Sequence, residues 1–234
     1  MNRIIDFVKN HSAWVAGITA SIILFLLFFT YFRGGMSGRV IDAGTGKPIP
    51  GVIVVVNWRI VASSPAGDTT IGQLHIAETI TDSNGQYRFS AWGPKVLFFG
   101  HLDSGAPRAI YFKDGYKYVI KDNSKRLFQH APEFPDPHGD LIKLSKFSGS
   151  NLQYAKQIKH LDEETYIFRY GKHCEWRKTP RLLIALENIS LQMERDGVKL
   201  PGWRGGNRIR TTTEVDDGDK CGSPDQFFKE HQAQ

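Results

Sequence analysis

The run from Trp14 to Phe32, WVAGITASIILFLLFFTYF, constrains this chain most, because its 19 consecutive residues include no Asp, Glu, Lys, Arg or His. As a helix rising about 1.5 Å per residue it matches a hydrocarbon core of roughly 30 Å. Trp14 at one end and Tyr31 with Phe32 at the other stand where aromatic rings rest at headgroup level, and Arg3, Lys9 and Arg33 close the charged flanks. The run therefore predicts an uncleaved transmembrane helix over residues 14–32, which attaches the chain to a membrane. A cleaved signal peptide has about 7–15 apolar residues and a small-x-small site, whereas this run is longer and leads into TYFRGGMSG without an Ala-x-Ala. A buried core helix would need a partner layer around its whole apolar surface. No Cys follows the run, which excludes a lipoprotein anchor.

Orientation follows from weaker signals. Residues 1–13 are too few for a domain and read as a cytoplasmic tail, with residues 34–234 exported to a bacterial periplasm from a single-pass position in the inner membrane. Arg3 and Lys9 precede the span while Arg33, Arg39 and Lys47 follow it, so the charge count slightly favours the opposite sense. Against that stand Cys174 and Cys221, the only two cysteines, an even number in the part that would meet an oxidising compartment. They are expected to pair and to pin the terminal GSPDQFF segment.

The rest of the chain can bury a core: 41% of all residues are hydrophobic and 23% charged. Lys and Arg outnumber Asp and Glu by 30 to 24, a net charge of +6 with no polycationic segment, which excludes the charge density of a nucleic-acid binder. GGMSG at 34–38 reads as a flexible joint. Val52 to Val61, VIVVVNWRIV, is a nearly unbroken β-branched run bounded by Pro50 and Gly51, the pattern of a strand covered on both faces. Thr79 to Thr81 and Tyr87 to Ser90 flank DSNGQ, where Asn84-Gly85 signals a hairpin turn. Further runs at Arg39 to Asp42, Arg108 to Phe112, Tyr116 to Ile120 and Asp140 to Leu144 bring the count to seven strands, as in a β-sandwich. The stretch between Val61 and Ile76, SSPAGDTTIGQLH, reads as a long polar surface loop and a candidate contact surface. Residues 121–139, with three prolines and no periodicity, read as an irregular connection.

Three blocks in this region carry a family resemblance: GRVIDAGTGKPIPGVIVVV at 38–56, ETITDSNGQYRFSAWGP at 78–94 and FKDGYKY at 112–118. Together they resemble the carboxypeptidase regulatory-like domain, a transthyretin-like β-sandwich whose pattern is a TG-x-P-I-x-G-V turn, a T-x-TD-x-x-G-x-Y/F-x-F hairpin and a later GY. The resemblance implies a mainly β, seven-stranded sandwich over residues 38–147. Physical reasons stand beside it. Gly46 and Gly51 permit tight reversals, Asp82 can accept bonds from the turn amides ahead of Gly85, and Tyr87 and Phe89 alternate onto one face.

Residues 148–234 form a helical C-terminal extension. Leu152, Ala155, Ile158 and Leu161 recur every three residues, and Leu182, Leu186, Ile189 and Met193 at four, three and four, each stripe fitting a helix packed on one side. Thr179 is placed to cap the second helix, Pro180 suits its first turn and Gly197 its end. Residues 201–219 read as a loop.

No constellation nominates chemistry. His160-Leu-Asp-Glu163 has the His-x-x-Glu spacing of metallocarboxypeptidase zinc ligands, but the domain resembled here is the noncatalytic companion of those enzymes, and on one helix the two residues share a solvated face. Tyr87-Arg-Phe-Ser90 resembles the terminal tetrapeptide of transthyretin-like hydroxyisourate hydrolases, yet it lies mid-chain and its third residue is not Gly. G-x-S-x-G, Walker and dinucleotide fingerprints do not occur. The expectation is a noncatalytic, membrane-anchored envelope module without cofactor or metal, binding an envelope protein or glycan through sandwich loops. An envelope hydrolase with an unrecognised active site is the alternative.

Overall fold

The structure, a computed structural model, describes residues 14–21, 24, 29–65, 67–122, 138–165, 174–198 and 221–232. Among them the strands are β1 (Thr30–Arg33), β2 (Met36–Asp42), β3 (Ile53–Ser64), β4 (Gly67–Ile80), β5 (Gln86–Phe89), β6 (Trp92–Val96), β7 (His101–Leu102), β8 (Arg108–Phe112), β9 (Val119–Lys121) and β10 (His138–Leu144). Helices α1 (Asn151–Thr165), α2 (Pro180–Arg195) and α3 (Pro224–Gln232) follow, with a 3₁₀ turn at Glu175–Lys178. One sheet has the order β10-β2-β5, the other β4-β3-β8-β9 with β7 also on β3, and β1 pairs with β6 in a two-stranded ribbon.

The β-branched run of β3 explains the layering. Val54, Val56 and Trp58 point toward the three-stranded sheet and meet Val40, Tyr87, Phe89, Tyr111, Ile142 and Leu144 in the core between the sheets. Val55 points the other way, with Ile76, Ile110 and Phe112, and meets Ala155, Ile158 and Leu161 of α1 and Leu182, Leu186, Ile189 and Met193 of α2. A strand buried on both faces carries no polar alternation, and β3 shows none there. The helices are thus a third layer sharing a core with the sheet. Of the first helical stripe only Leu152 is exposed.

Among the described residues no helix is long and apolar enough to cross a membrane; residues 22–23 and 25–28 of the run lie outside the described residues. Several other expectations are corrected. Residues 14–21, 24 and 29 are helical, but Thr30 to Phe32, expected to complete the span, lie in β1, because Thr30 and Tyr31 pair with Val96 and Lys95. The tail at 1–13 and the loop at 201–219 lie outside the described residues, as does most of 121–139. GGMSG is no loose joint: Met36 to Gly38 belong to β2, and Gly35 packs so closely that a Cβ there would lie 3.0 Å from the Phe89 carbonyl oxygen. The expected loop after Val61 is instead the continuation of β3 and β4, which pair from Ile53↔Ile80 to Ser64↔Gly67. Backbone pairing holds these polar residues because both strands are already registered by their apolar halves.

All seven expected strands have a counterpart, the one expected at Tyr116 to Ile120 being shorter and shifted to Val119–Lys121, and β1, β6 and β7 bring the described total to ten. The turn at Asn84-Gly85 does not close a hairpin within one sheet. β4 pairs with β3 while β5 pairs with β2, so the turn carries the chain from one sheet to the other. Thr179 makes no side-chain cap. The Glu78 carboxylate of β4 caps α2 instead, accepting from the amides of Arg181 at 3.0 Å and Leu182 at 2.8 Å.

Candidate functional site

The two sheets end side by side at β4 and β5, and between those edge strands lies an open groove with a volume of about 580 Å³. Of the turn that joins these strands, Asp82 and Gln86 line the groove. The Asp82 carboxylate accepts from the amides of Asn84 at 2.9 Å and Gln86 at 2.8 Å, and Gly85 N–H donates to the Asp82 carbonyl. Of the Asn-Gly pair only Gly85 has positive φ, 70°. Gly46 and Gly51, at φ 69° and 66°, reverse the neighbouring turns. Thr81, which sequence reasoning overlooked, ties these turns together: its buried hydroxyl donates to the Ile49 carbonyl at 2.7 Å and accepts from Val52 N–H at 2.8 Å.

The walls carry the charge. Arg39 of β2 and Arg88 of β5 line the groove and are exposed, because Val40, Tyr87 and Phe89, their neighbours in the alternation, point into the core. Arg39 Nε donates to the Asn84 carbonyl at 3.0 Å, which orients one guanidinium along the rim. Ile80, exposed on β4, adds an apolar wall. At the end of β2 the Asp42 carboxyl is held below its usual range, chiefly by the Thr45 amide, with help from the Thr45 hydroxyl, Tyr116 and Gly44. The arrangement presents two guanidinium groups and a sheet edge, which suits an extended acidic ligand.

A second cluster lies where the β1–β6 ribbon meets β3 and β4. Trp58, His75 and Trp92 pack with ring centroids 4.8 to 5.3 Å apart. Lys95 Nζ donates to the Leu74 carbonyl at 2.7 Å and lies 3.2 Å from His75 Nδ1. Burial, followed by the charges of Lys95 and Lys178, pushes the His75 imidazole down to about 4, so at neutral pH the ring is uncharged and accepts from the ammonium. Burial also raises the Glu78 carboxyl to about 7 against the opposing Leu182 and Arg181 amides. No sequence motif marks either group; both arise from strands meeting in space.

His160 meets Tyr118 and Glu164 rather than Glu163: the Tyr118 hydroxyl is hydrogen-bonded to His160 Nδ1, and the rings stack at 6.2 Å between centroids. Among the described residues no group of three or more His, Cys, Asp or Glu side chains could hold a metal ion. Cys174 and Cys221 are joined in a disulfide, with Trp176, Leu183 and Phe227 packed around it.

No family model matches the chain. A highly reducing polyketide synthase of Strobilurus tenacellus is 28% identical over 149 residues, a match that takes in 63% of this chain and 5% of that protein's length. Among solved structures, the 3-chlorocatechol 1,2-dioxygenase of Rhodococcus opacus is 17% identical, with 48% of this chain and 59% of the dioxygenase covered and a TM-score of 0.30. A streptococcal ancillary pilin is 14% identical over 50% of this chain and 30% of its own, at 0.26. The shaft pilin SpaA of Lactobacillus rhamnosus GG is 12% identical over 51% and 52%, also at 0.26. None of these likenesses bears on what the chain does.

Proposed function

We propose that the protein is a noncatalytic envelope module of the carboxypeptidase regulatory-like type. Residues 14–29 hold it in the inner membrane, with the sandwich on the periplasmic side, and the groove between β4 and β5 receives an extended acidic segment of an envelope protein. The carrying observation is the make-up of the groove: Arg39 and Arg88, both exposed, line it beside the edge strands β4 and β5, and edge strands recognise extended peptides through backbone pairing.

The test is a photo-crosslinking residue in place of Gln86, exposed in the groove, in the full chain in its membrane. A protease-sensitive adduct that disappears in Arg39→Glu/Arg88→Glu supports the reading. A protease-resistant carbohydrate adduct replaces the protein partner by a glycan, and absence of any groove adduct overturns the site. A C-terminal reporter active only in the cytoplasm overturns the orientation.

A further inference from the structure

We propose that the loop from Leu97 to Gly100, with Phe98 and Phe99 at its tip, enters the headgroup–acyl boundary of a lipid bilayer and seats the sandwich on the membrane; this rests on the anchor in the reading above. The loop starts where the apolar run ends. Leu97 N–H donates to the Phe29 carbonyl at 2.8 Å, and β1 pairs with β6 at once, Thr30 facing Val96 and Tyr31 facing Lys95. Residue 97 therefore sits at the depth of residue 29 with no slack between them.

What the loop shows at that depth is apolar. Phe98 is 60% and Phe99 82% exposed, and Val96, which precedes the loop, and Ile71 are exposed as well. Ile71 is brought in through Gly100, where an added Cβ would lie 2.9 Å from Ile71 Cδ1 and 2.7 Å from the Val61 carbonyl oxygen. Ile80, Leu141 and Leu152, also exposed, stand on β4, β10 and α1 away from this loop. Burying these rings removes apolar surface from water, and clustered exposed rings mark a contact surface.

The length of the run says what covers them. Sixteen residues from 14 to 29, as a helix, rise about 24 Å, short of a core of about 30 Å. A short span draws its flanks into the interface, and the flank here is aromatic, as interfacial belts are. The cations do not oppose this: the Arg33 guanidinium folds back to the Phe32 carbonyl at 2.8 Å, and Lys95 turns inward to Leu74. The neighbouring β3–β4 tip is polar, with Ser63 Oγ donating to Asp68, which keeps insertion at headgroup depth.

The described cysteines are both in the disulfide, so a single introduced thiol can be labelled in the full chain. Phe99→Cys, Ser21→Cys and Lys47→Cys, each carrying nitrobenzoxadiazole, are compared in phosphatidylcholine vesicles containing nitroxide lipids labelled near the headgroup or deep in the chain. At residue 99 the emission should shift to the blue, with severalfold stronger quenching by the shallow nitroxide than at residue 47, and with the same result when phosphatidylglycerol is added. Phe98→Asp should weaken that quenching. A label at 99 exposed to aqueous iodide, or shielded from both iodide and lipid, while the label at 21 is quenched by the deep nitroxide overturns the loop proposal alone. If neither 21 nor 99 senses lipid, the anchor reading falls and takes this proposal with it.

Discussion

Three glycines with nearly the same backbone conformation should respond very differently to alanine. Gly46, Gly51 and Gly85 have φ of 69°, 66° and 70°, so each substitution carries the left-handed strain of roughly 1–2 kcal/mol and the same stiffening of the unfolded chain. Their surroundings differ. At Gly46 a Cβ meets nothing within 4 Å; at Gly51 it meets only the Lys113 ammonium at 3.0 Å, the mobile end of a side chain. At Gly85 it would lie 2.4 Å from the Val40 carbonyl oxygen and 3.2 Å from both Ile49 N and Pro48 Cβ. That carbonyl accepts from Ile49 N–H at 3.1 Å, and Val40 N–H donates to the Gly85 carbonyl at 2.8 Å. Relief therefore requires moving the backbone of β2 beside a fully buried side chain, which adds about 1–3 kcal/mol of overpacking. Gly46→Ala and Gly51→Ala are expected to cost about 1–2 kcal/mol and Gly85→Ala about 2–5 kcal/mol. Urea unfolding of the full chain, followed by the fluorescence of the buried Trp58 and Trp176, measures all three on one scale. If Gly85→Ala and Gly46→Ala agree within about 0.5 kcal/mol, the close approach of the turn to β2 is wrong.

Thr81→Val keeps the shape but strands a buried carbonyl at Ile49 and a buried amide at Val52, and should cost about 2–4 kcal/mol in the same assay; a neutral result removes the hydroxyl from the turn. Cys174→Ala/Cys221→Ala opens a loop between positions 47 apart, worth about 4 kcal/mol by chain entropy, and limited proteolysis should release α3 before the sandwich is cut; equal midpoints would count against the bond. Glu78 and His75 should give opposite pH slopes. With its folded value raised to about 7 from an ordinary 4.5, Glu78 contributes stability present below 4.5 and lost as pH rises to 7. His75, lowered to about 4 from 6.5, contributes stability present above 6.5 and lost as pH falls to 4. Glu78→Gln should therefore leave a protein that acid destabilises, and His75→Gln one that acid stabilises, read as melting temperatures across that window; parallel profiles would refute both assignments.

Much of the sandwich was legible because its signals are local. The valine run of β3, the alternation of Tyr87 and Phe89, and the glycines and Asp82 of the turns each state a backbone preference within a few residues. The stripe of α2 was legible for the same reason, as a period of 3.6 needs only one face to be apolar. The β3–β4 extension was misread because its polar residues are paired only through a register fixed many residues away. The cap of α2 was misplaced because Glu78, 103 positions from Arg181, reaches an amide that Thr179 leaves open.

By itself the sequence determined which segments must be buried, which must turn and which two sulfurs were available, since side-chain polarity and allowed φ belong to each residue. Only the tertiary structure decided that the Asp82–Gly85 turn changes sheets, that Arg39 and Arg88 share a groove, that a carboxylate on a strand caps a helix, and that Leu97 returns to Phe29. Each of these pairs residues distant in the chain, and such pairing depends on which apolar faces close on one another, a property of the packed layers rather than of any local stretch.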